Sequence, residues 1–245
     1  MDRLLEATAR AERDHFWFRG FRRFIDPLVA NAANGRRIEI LDCGCGTGHN
    51  LTMLRKYGRA YGIDLTWAGL QYARSLGEKK IARATVAALP MPDARFDLVT
   101  SFDVLYGLPE EVEHAAIAEM VRVLKPGGWA IVNVAALPWL RGNHSVLGGE
   151  LRRYRRRELR GKLEAAGFRV TRSSYTNFSI LPMVAAVRAK QRLSGHVESD
   201  AEISVPSAPI NSMLSALLGL EAIALRVVDM PLGSSVMAVA QKSQN

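Results

Sequence analysis

Apolar and polar positions alternate along the chain in short strand-like runs separated by stretches with helical spacing. From residue 36 to residue 136, runs of β-branched and aromatic residues are followed by segments whose apolar positions recur every three or four residues. Strands that alternate with helices in this way form a parallel sheet covered on both faces, so the pattern predicts an α/β fold. The predicted strands are residues 38–42, 60–64, 81–85, 96–102, 129–137, 168–178 and 234–242.

The helical segments divide the chain further. A stop is predicted at residues 125–128, because Pro126 lacks an N–H and the two glycines after it permit a tight turn. Residues 194–209 are polar, contain two prolines and predict a loop or lid. We expect residues 1–35 to form an N-terminal helical lid or substrate cap. We expect residues 36–245 to form the main domain. Within it, residues 138–233 are expected to include the substrate-side loops and the cap helices. The predicted helices are residues 50–57, 67–76, 112–124, 156–166, 182–193 and 211–228.

Charge and cysteine content narrow the class of protein. The 245 residues carry 33 Lys and Arg against 24 Asp and Glu, a formal net charge of +9. Seven cations lie in the row 150–164, which could meet nucleic acid or anionic lipid, or form a solvated helix face. The two cysteines are too close along an extended chain to bridge without strain, and no second Cys or His cluster completes a zinc site. With no signal peptide or membrane-spanning segment predicted, we expect a cytoplasmic protein with reduced thiols and no metal.

The stretch ILDCGCGTGHN, residues 40–50, follows the first predicted strand and opens the first helix. Ligands of such sheets bind at the carboxyl ends of the strands, where glycines allow close backbone approach and a helix N-terminus offers N–H groups. The spacing is D-x-G-x-G-x-G instead of the dinucleotide pattern G-x-G-x-x-G. Asp64 closes the second strand, 22 residues after Asp42, and a carboxylate there can accept both hydroxyls of a ribose. The loop therefore predicts a cradle for an adenosine-type ligand other than NAD.

Four segments stand in a defined order: LDCGCGTG (41–48), GIDL (62–65), ALPMPDARFDLVTSFDVL (88–105) and RVLKPGG (122–128). Together they resemble the class I S-adenosylmethionine-dependent methyltransferases, in particular the small-molecule group with the ubiquinone-type methyltransferase domain. The resemblance implies a Rossmann-like, doubly wound sheet of seven strands, mainly parallel with the last strand antiparallel, helices on both faces and an N-terminal helical lid. It also implies S-adenosylmethionine as methyl donor and S-adenosylhomocysteine as product.

The resemblance assigns the cofactor contacts residue by residue. The loop glycines would approach the amino-acid moiety, with Asp42 near its amino group, and Asp64 would hold the ribose. Thr85 departs from the family, which often has an Asp there to accept from the adenine amine. An arginine of the N-terminal segment HFWFRGFRR would meet the carboxylate, and the candidates are Arg19, Arg22 and Arg23. The implied cofactor residues are Asp42, Gly44, Cys45, Gly46, Gly48, Asp64, Leu65, Ala87, Ala88, Leu89, Phe102, Asp103 and Arg19.

Methyl transfer needs alignment and, for some acceptors, a base. His144 and Tyr106 are the predicted catalytic residues, although Ser145 stands where related sequences pair this histidine with an aspartate. The predicted substrate-binding residues are Trp17, Phe18, Tyr106, His144 and Tyr154.

The acceptor and the class of partner stay open at this level. A small molecule with an O, N or C nucleophile is favoured, including a hydrophobic or lipid-linked one. Nucleic acid is disfavoured because SFDVLYG replaces the Asn/Asp-Pro-Pro-aromatic motif of base-amine methyltransferases. The alternatives are a methyltransferase acting on nucleic acid or protein, a sensor without an open pocket beside Phe102 and Asp103, and an aminopropyl transferase. Residues 182–193 and 211–228 are apolar enough for core, for a homodimer interface or for peripheral membrane contact, so both monomer and homodimer are considered.

Overall fold

The computed structural model describes residues 8–141, 149–194 and 205–244, and within these ranges seven strands form one sheet. The strand order is β3-β2-β1-β4-β5-β7-β6. Neighbouring strands are parallel except β7, which is antiparallel to both β5 and β6. The predicted mainly parallel α/β sheet with an antiparallel last strand is confirmed. The strands are β1 Ile38–Cys43, β2 Gly58–Asp64, β3 Ile81–Arg83, β4 Phe96–Phe102, β5 Leu124–Ala135, β6 Phe168–Thr176 and β7 Ser235–Lys242.

Helices cover both faces of the sheet. Several element boundaries differ from the pattern by a few residues; among the strands, β3 is only three residues long, and β5 begins at Leu124 instead of residue 129. The predicted helix stop is correct, but residues 125–128 lie inside β5, where Leu124 pairs with Phe96 and Trp129 pairs with Leu98 across a register irregularity. The helices are α1 Phe16–Ala33, α2 His49–Leu54, α3 Trp67–Ser75, α4 Glu110–Val123, α5 Arg156–Ala165, α6 Leu181–Ser194 and α7 Ala208–Ala224.

The core has a cluster on each face of the sheet. On one face, Ile117 and Met120 of α4 and Leu159 of α5 pack against the strands. On the other face, Ile25 and Val29 of α1 pack with side chains from α2, α3 and the sheet. None of the helices in the described ranges combines the length and apolar character needed to cross a membrane.

A third cluster joins α1, α6 and α7 into a cap above the carboxyl ends of the strands. Phe16 and Phe24 of α1 pack with Leu214 and Leu218 of α7, and Gly20 allows the Leu218 side chain to lie directly on the α1 backbone. The N-terminal helix therefore belongs both to the cap and to the main core. The domain boundary at residue 35 stays a prediction.

Polar contacts fix the positions of the cap helices relative to one another. The Asn211 side chain of α7 accepts from the Phe16 amide (2.8 Å) and donates to the Asp14 carbonyl (2.8 Å), so it closes the N-terminus of α1. Arg23 of α1 donates to the Ser215 carbonyl (2.6 Å). Glu221 of α7 accepts from the Phe178 and Ser179 amides just before α6 (3.0 and 2.9 Å). These contacts link the N-terminal segment to a helix almost 200 residues away.

The Arg-rich row 150–164 is largely occupied by internal ion pairs. Glu113 of α4, whose side chain is fully buried, accepts from Arg152, from Lys162 (3.1 Å) and from the Tyr154 hydroxyl (2.7 Å). Arg153 pairs with Glu150, and Arg160 pairs with Glu164. Arg156 and Arg157 are exposed. Four of the seven cations therefore neutralise carboxylates of the chain itself.

This network corrects the prediction for Tyr154. Its side chain is fully buried, and its hydroxyl donates a hydrogen bond to the Glu113 carboxylate. Residue 154 also bridges to Ala136 at the end of β5. Tyr154 therefore connects the segment before α5 to the core, and its buried hydroxyl is not open to a substrate in this structure. Sequence spacing could not reveal this, because the partner carboxylate lies 41 residues earlier in the chain.

We expect Glu113→Gln to lower the free energy of unfolding by about 3 kcal/mol, because it leaves two cations beside an uncharged buried side chain. Glu110→Gln is the matched control: Glu110 is an exposed partner of the same Lys162, and its loss should cost less than about 1 kcal/mol. Urea denaturation followed by circular dichroism measures both. Equal losses for the two variants would contradict the assigned role of the buried carboxylate.

Candidate active site

The glycine loop after β1 has the backbone geometry that requires glycine. Gly44, Gly46 and Gly48 have φ values of +86°, +50° and +83°, in the region that disfavours side chains. A Cβ at Gly44 would overlap Val104, and one at Gly48 would lie 2.7 Å from the Ala73 Cβ. A Cβ at Gly46 would meet no atom within 4 Å. Both ends of the loop therefore pack against other side chains of the fold, and its centre faces open space.

The amides of this loop are already hydrogen-bonded within the fold. Gly44 and Cys45 both donate to the Ile63 carbonyl (2.7 and 3.0 Å), and Gly48 donates to the Cys45 carbonyl (2.9 Å). Gly46 donates to Asp64 Oδ2 (2.8 Å). These four amides are therefore already used within the fold, whereas the free N–H groups expected at the N-terminus of α2, which begins at His49, stay a prediction. A loop whose donors are used internally offers close backbone approach but is a poor phosphate cradle.

Three carboxyl groups surround the loop. Asp42, at the end of β1, is buried, and its Oδ1 accepts from the Thr100 hydroxyl (2.7 Å). Its Oδ2 is also buried and has no hydrogen-bond partner among the described residues. Desolvation raises the pKa of Asp42 to about 7, with the charges of Asp64 and Glu12 acting in the same direction. Acidic surroundings and an orphaned carboxylate oxygen fit a cationic ligand such as an ammonium or sulfonium and disfavour a phosphate.

Glu12 is the third of these carboxyl groups, and sequence reasoning did not identify it. It belongs to residues 8–15, which precede α1 and which we call the strap. The buried Glu12 carboxylate accepts from the Thr47 hydroxyl in the glycine loop, and its carbonyl accepts from Arg22 (2.9 Å). Desolvation raises the pKa of Glu12. Of the three candidate arginines, Arg19 and Arg23 are exposed, and Arg22, which donates to the Glu12 carbonyl, is the one better placed beside the loop.

Of the residues predicted to surround the adenine, only some lie where a ligand could reach them. Leu65 is 60% exposed after β2, and Ala88 is exposed while Ala87 is half-buried, so these three positions remain candidates. Leu89 is instead buried in the core, and its amide donates to Glu119 (2.6 Å). We therefore correct the prediction that its side chain flanks adenine. Leu89 follows a turn at residues 86–87, several residues after β3 ends, so the strand pattern could not fix the direction of its side chain.

A cavity of about 500 Å³ opens beside the carboxyl ends of β4 and β5. Trp17, Tyr106 and Asp103 are predicted site residues that line it. Phe18 is not part of its wall, and Phe102 is buried with its ring edge-on to Phe21 (5.1 Å). His144 lies outside the described residues. The remaining wall is formed by His15, Phe16, Ala135, Glu150, Arg153, Met183, Val184, Val187, Arg188, Gln191, Ser234 and Ser235.

Asp103 is the carboxyl group that faces this cavity. Its backbone is left-handed (φ +59°), which is uncommon for a residue with a side chain. Asn133 of β5 holds both the side chain and the backbone of Asp103. The side-chain amide of Asn133 donates to Asp103 Oδ1 (3.0 Å), and its backbone carbonyl accepts from the Asp103 backbone amide (2.9 Å). Although the side chain is accessible from the cavity, the protein atoms around it reduce its hydration and raise its pKa to about 7.

The neighbours of Asp103 set the electrostatics of the cavity. Arg153 forms a bidentate pair with Glu150 (2.6 and 3.0 Å) and donates to the Ala136 carbonyl (3.0 Å). The Arg153 charge opposes the rise in the pKa of Asp103, and the Glu150 charge adds to it. Burial raises the pKa of Tyr106, which keeps its hydroxyl protonated at neutral pH. Tyr106 is therefore a hydrogen-bonding group, and Asp103 is better suited to accept a proton.

His15 also faces the cavity and was not predicted from the sequence. Its Nδ1 accepts from the Trp17 amide (3.2 Å), and burial lowers its pKa. A neutral histidine whose Nδ1 accepts carries its proton on Nε2, so it can donate to a bound molecule. His15 is the N-cap of α1 and belongs to no ligand-binding motif, so the sequence alone did not reveal it.

The cysteines of the loop are structural. Cys43 and Cys45 are free and buried, as predicted, and burial raises the pKa of both thiols. A Cβ at Gly62 would lie 2.6 Å from the Cys45 sulfur, so that thiol fills the space beneath the loop. In the described ranges, no three His, Cys, Asp or Glu side chains converge as metal ligands.

Comparison with known proteins agrees with this geometry. Residues 41–132 match a methyltransferase domain family. A probable S-adenosylmethionine-dependent methyltransferase of Mycolicibacterium smegmatis is 29% identical over 161 residues, which cover 64% of this chain and 61% of that protein. The demethylmenaquinone methyltransferase of Geobacillus kaustophilus is 33% identical over 122 residues, 46% of this chain and 50% of that protein. The chain thus spans about half to three fifths of these relatives.

The solved structures extend the likeness to the whole fold. A methyltransferase from Haloferax volcanii, described as putative and solved in a complex with the Trm112 methyltransferase activator, superposes with a TM-score of 0.61. The match covers 98% of this chain and 97% of that chain, at 19% identity. At this identity the likeness shows a shared fold and carries no statement about substrate or partner.

We expect Gly46→Ala to abolish S-adenosylmethionine binding, because its Cβ would enter the open space above the loop at an unfavourable φ. Gly77→Ala is the matched control: Gly77 also has a positive φ (+83°) and no atom within 4 Å of an added Cβ, but it lies at the end of α3. Both variants should lose about 1 kcal/mol of stability. Titration calorimetry measures the affinity, and equal binding by the two variants would contradict the cradle assignment.

Proposed function

The chain belongs to the class I S-adenosylmethionine-dependent methyltransferases, and we propose that it methylates a small molecule bound in the cavity beside Asp103. One observation carries this proposal. Val104 packs on Gly44 of the cofactor loop, and its neighbour Asp103 lines the cavity. A molecule in the cavity is therefore adjacent to the proposed cofactor site. An open cavity at this position favours an enzyme over a sensor that only binds the cofactor.

The cavity wall supports an acceptor with one polar end and an apolar body. Asp103, His15 and Ser235 supply polar groups near the strand ends, whereas Trp17 and Val184 belong to the apolar wall from α1 and α6. Glu150 is paired with Arg153, which leaves little unpaired negative charge for a polyamine and argues against aminopropyl transfer. The ion pairs within row 150–164 likewise weaken the case for a nucleic-acid surface.

The chain's own residues bind the donor and handle the proton. When bound, the cofactor would supply an electrophilic methyl group: the acceptor atom would form a bond to it in line as the methyl–sulfur bond breaks, with S-adenosylhomocysteine as the leaving group. Asp42, Asp64 and the backbone of Gly46 would hold the cofactor through its ammonium, its ribose and its close approach to the loop. His15 would donate from Nε2 and orient the acceptor. Asp103 would accept the acceptor's proton, held in place by Asn133.

We expect the full chain to release S-adenosylhomocysteine from S-adenosylmethionine when a panel of apolar phenols, amines and carbon acids is supplied. With the best acceptor, Asp103→Asn should lower kcat at least about 100-fold, the range of general-base contributions, while cofactor affinity stays within about threefold. Wild-type kcat should rise about tenfold per pH unit below pH 7 and level off above it, because the base must be deprotonated.

Asp93→Asn is the control for this experiment. Asp93 is an exposed aspartate that pairs with Arg122 and lies outside the cavity wall. Its substitution should leave both kcat and cofactor affinity unchanged. A chain that binds no S-adenosylmethionine would contradict the proposed function, whereas turnover by Asp103→Asn equal to that of the wild type would contradict only the role of Asp103.

A further inference from the structure

Helix α7 has two apolar faces, and the part of the chain that the structure describes covers only one of them. Its inner face, which includes Leu214, Leu218 and Leu225 next to the helix end, packs on α1 and α6. At 100° per residue, the buried positions occupy an arc of roughly 120° on one side of the helix. Glu221 is the one charged residue of the helix, and it is buried on this inner side.

The opposite side, which we call the outer face, is apolar and exposed. The side chains of Met213 and Leu220 are 62% and 66% exposed. The helix carries no exposed charge along its length. The outer face consists of Ile210, Met213, Leu217, Leu220 and Ile223, continued past the helix end by Val227 and Val228. A surface helix ordinarily presents polar groups to water on this side, so the outer face is typical of a helix that is covered.

The spacing of the outer face indicates what kind of group covers it. Ile210, Met213, Leu217 and Leu220 follow one another at intervals of three, four and three residues, and Ala224 and Val227 continue this alternation. This is the a/d spacing with which one helix packs along another. The pattern therefore favours a helix as the partner.

The area and the charge favour a second copy of this chain. The outer face exposes on the order of 600 Å² of apolar side chain, so two copies would bury about 1,200 Å², the lower end of specific interfaces. A formal charge of +9 disfavours contact between other parts of two copies, whereas the helical part of the outer face brings no charge into the interface and the exposed Arg226 lies past the helix end. An isologous contact needs only one self-complementary patch.

A lipid surface fits these observations less well. Membrane-surface helices carry Lys and Arg along their polar side, and α7 contains neither. The nearby Arg23 and Arg172 donate to the Ser215 and Leu225 carbonyls of the α7 segment, and Arg172 also pairs with Asp229. We propose that the chain forms a homodimer in which the outer face of α7 packs against the same face of a second copy.

Sedimentation velocity of the full chain over a range of concentrations tests this directly. The weight-average mass should rise to twice the monomer mass for the wild type and stay at the monomer mass for Leu220→Glu. Leu193→Glu is the control, because Leu193 is 90% exposed on α6, outside the outer face, and it should behave as the wild type. Circular dichroism and S-adenosylhomocysteine binding by each variant separate loss of dimer from loss of fold or of cofactor site.

Two results would overturn the proposal. One is a wild type that remains monomeric at every concentration. If that monomer also co-floats with phosphatidylglycerol vesicles and Leu220→Glu does not, the outer face binds a lipid surface instead of a second copy. The other is a Leu220→Glu variant that dimerises as the wild type does.

Discussion

A buried aspartate at the end of β1 is the constraint on which the rest of the site depends. Asp42 has one carboxylate oxygen on the Thr100 hydroxyl and a second oxygen that no described group satisfies. An unsatisfied buried carboxylate costs several kcal/mol or stays protonated until a cation arrives. The amides of Gly44, Cys45, Gly46 and Gly48 are used within the fold, so these residues add backbone proximity without adding anion-binding donors. Together these features fit a cationic ligand, and S-adenosylmethionine, which we propose as the cofactor, is a cation.

The cap links the proposed cofactor site to the cavity in which we propose that the acceptor binds. The strap places Glu12 on Thr47 of the loop, and three residues later His15 lines the cavity. Helix α1 then packs on the sheet through Ile25 and on α7 through Phe24. Because Asn211 and Arg23 fix α1 to α7, a movement of the strap would be transmitted to the cap helices. Cofactor binding, the shape of the cavity and the exposed side of α7 therefore share one structural unit.

The sequence predicted the fold well, because strand and helix patterns are local. Strand-like runs marked all seven strands, and the D-x-G-x-G-x-G spacing marked a loop that the structure places beside Asp64, while the role of these residues in holding a cofactor stays a prediction. It failed where a side chain's direction or a distant partner decides the outcome. Leu89 turned into the core, and the Tyr154 hydroxyl went to Glu113. Glu12, His15 and Asn133 carry no motif, and the fold alone places them at the loop and the cavity.

Titration calorimetry of S-adenosylhomocysteine near pH 6, in two buffers of different ionisation enthalpy, tests the central claim most directly. At that pH Asp42, with a pKa of about 7, is mostly protonated in the free chain. An arriving ammonium favours its ionised form. The account therefore predicts the release of close to one proton per bound ligand, and none for Asp42→Asn. Failure to bind, or binding by the wild type without proton release, would contradict it.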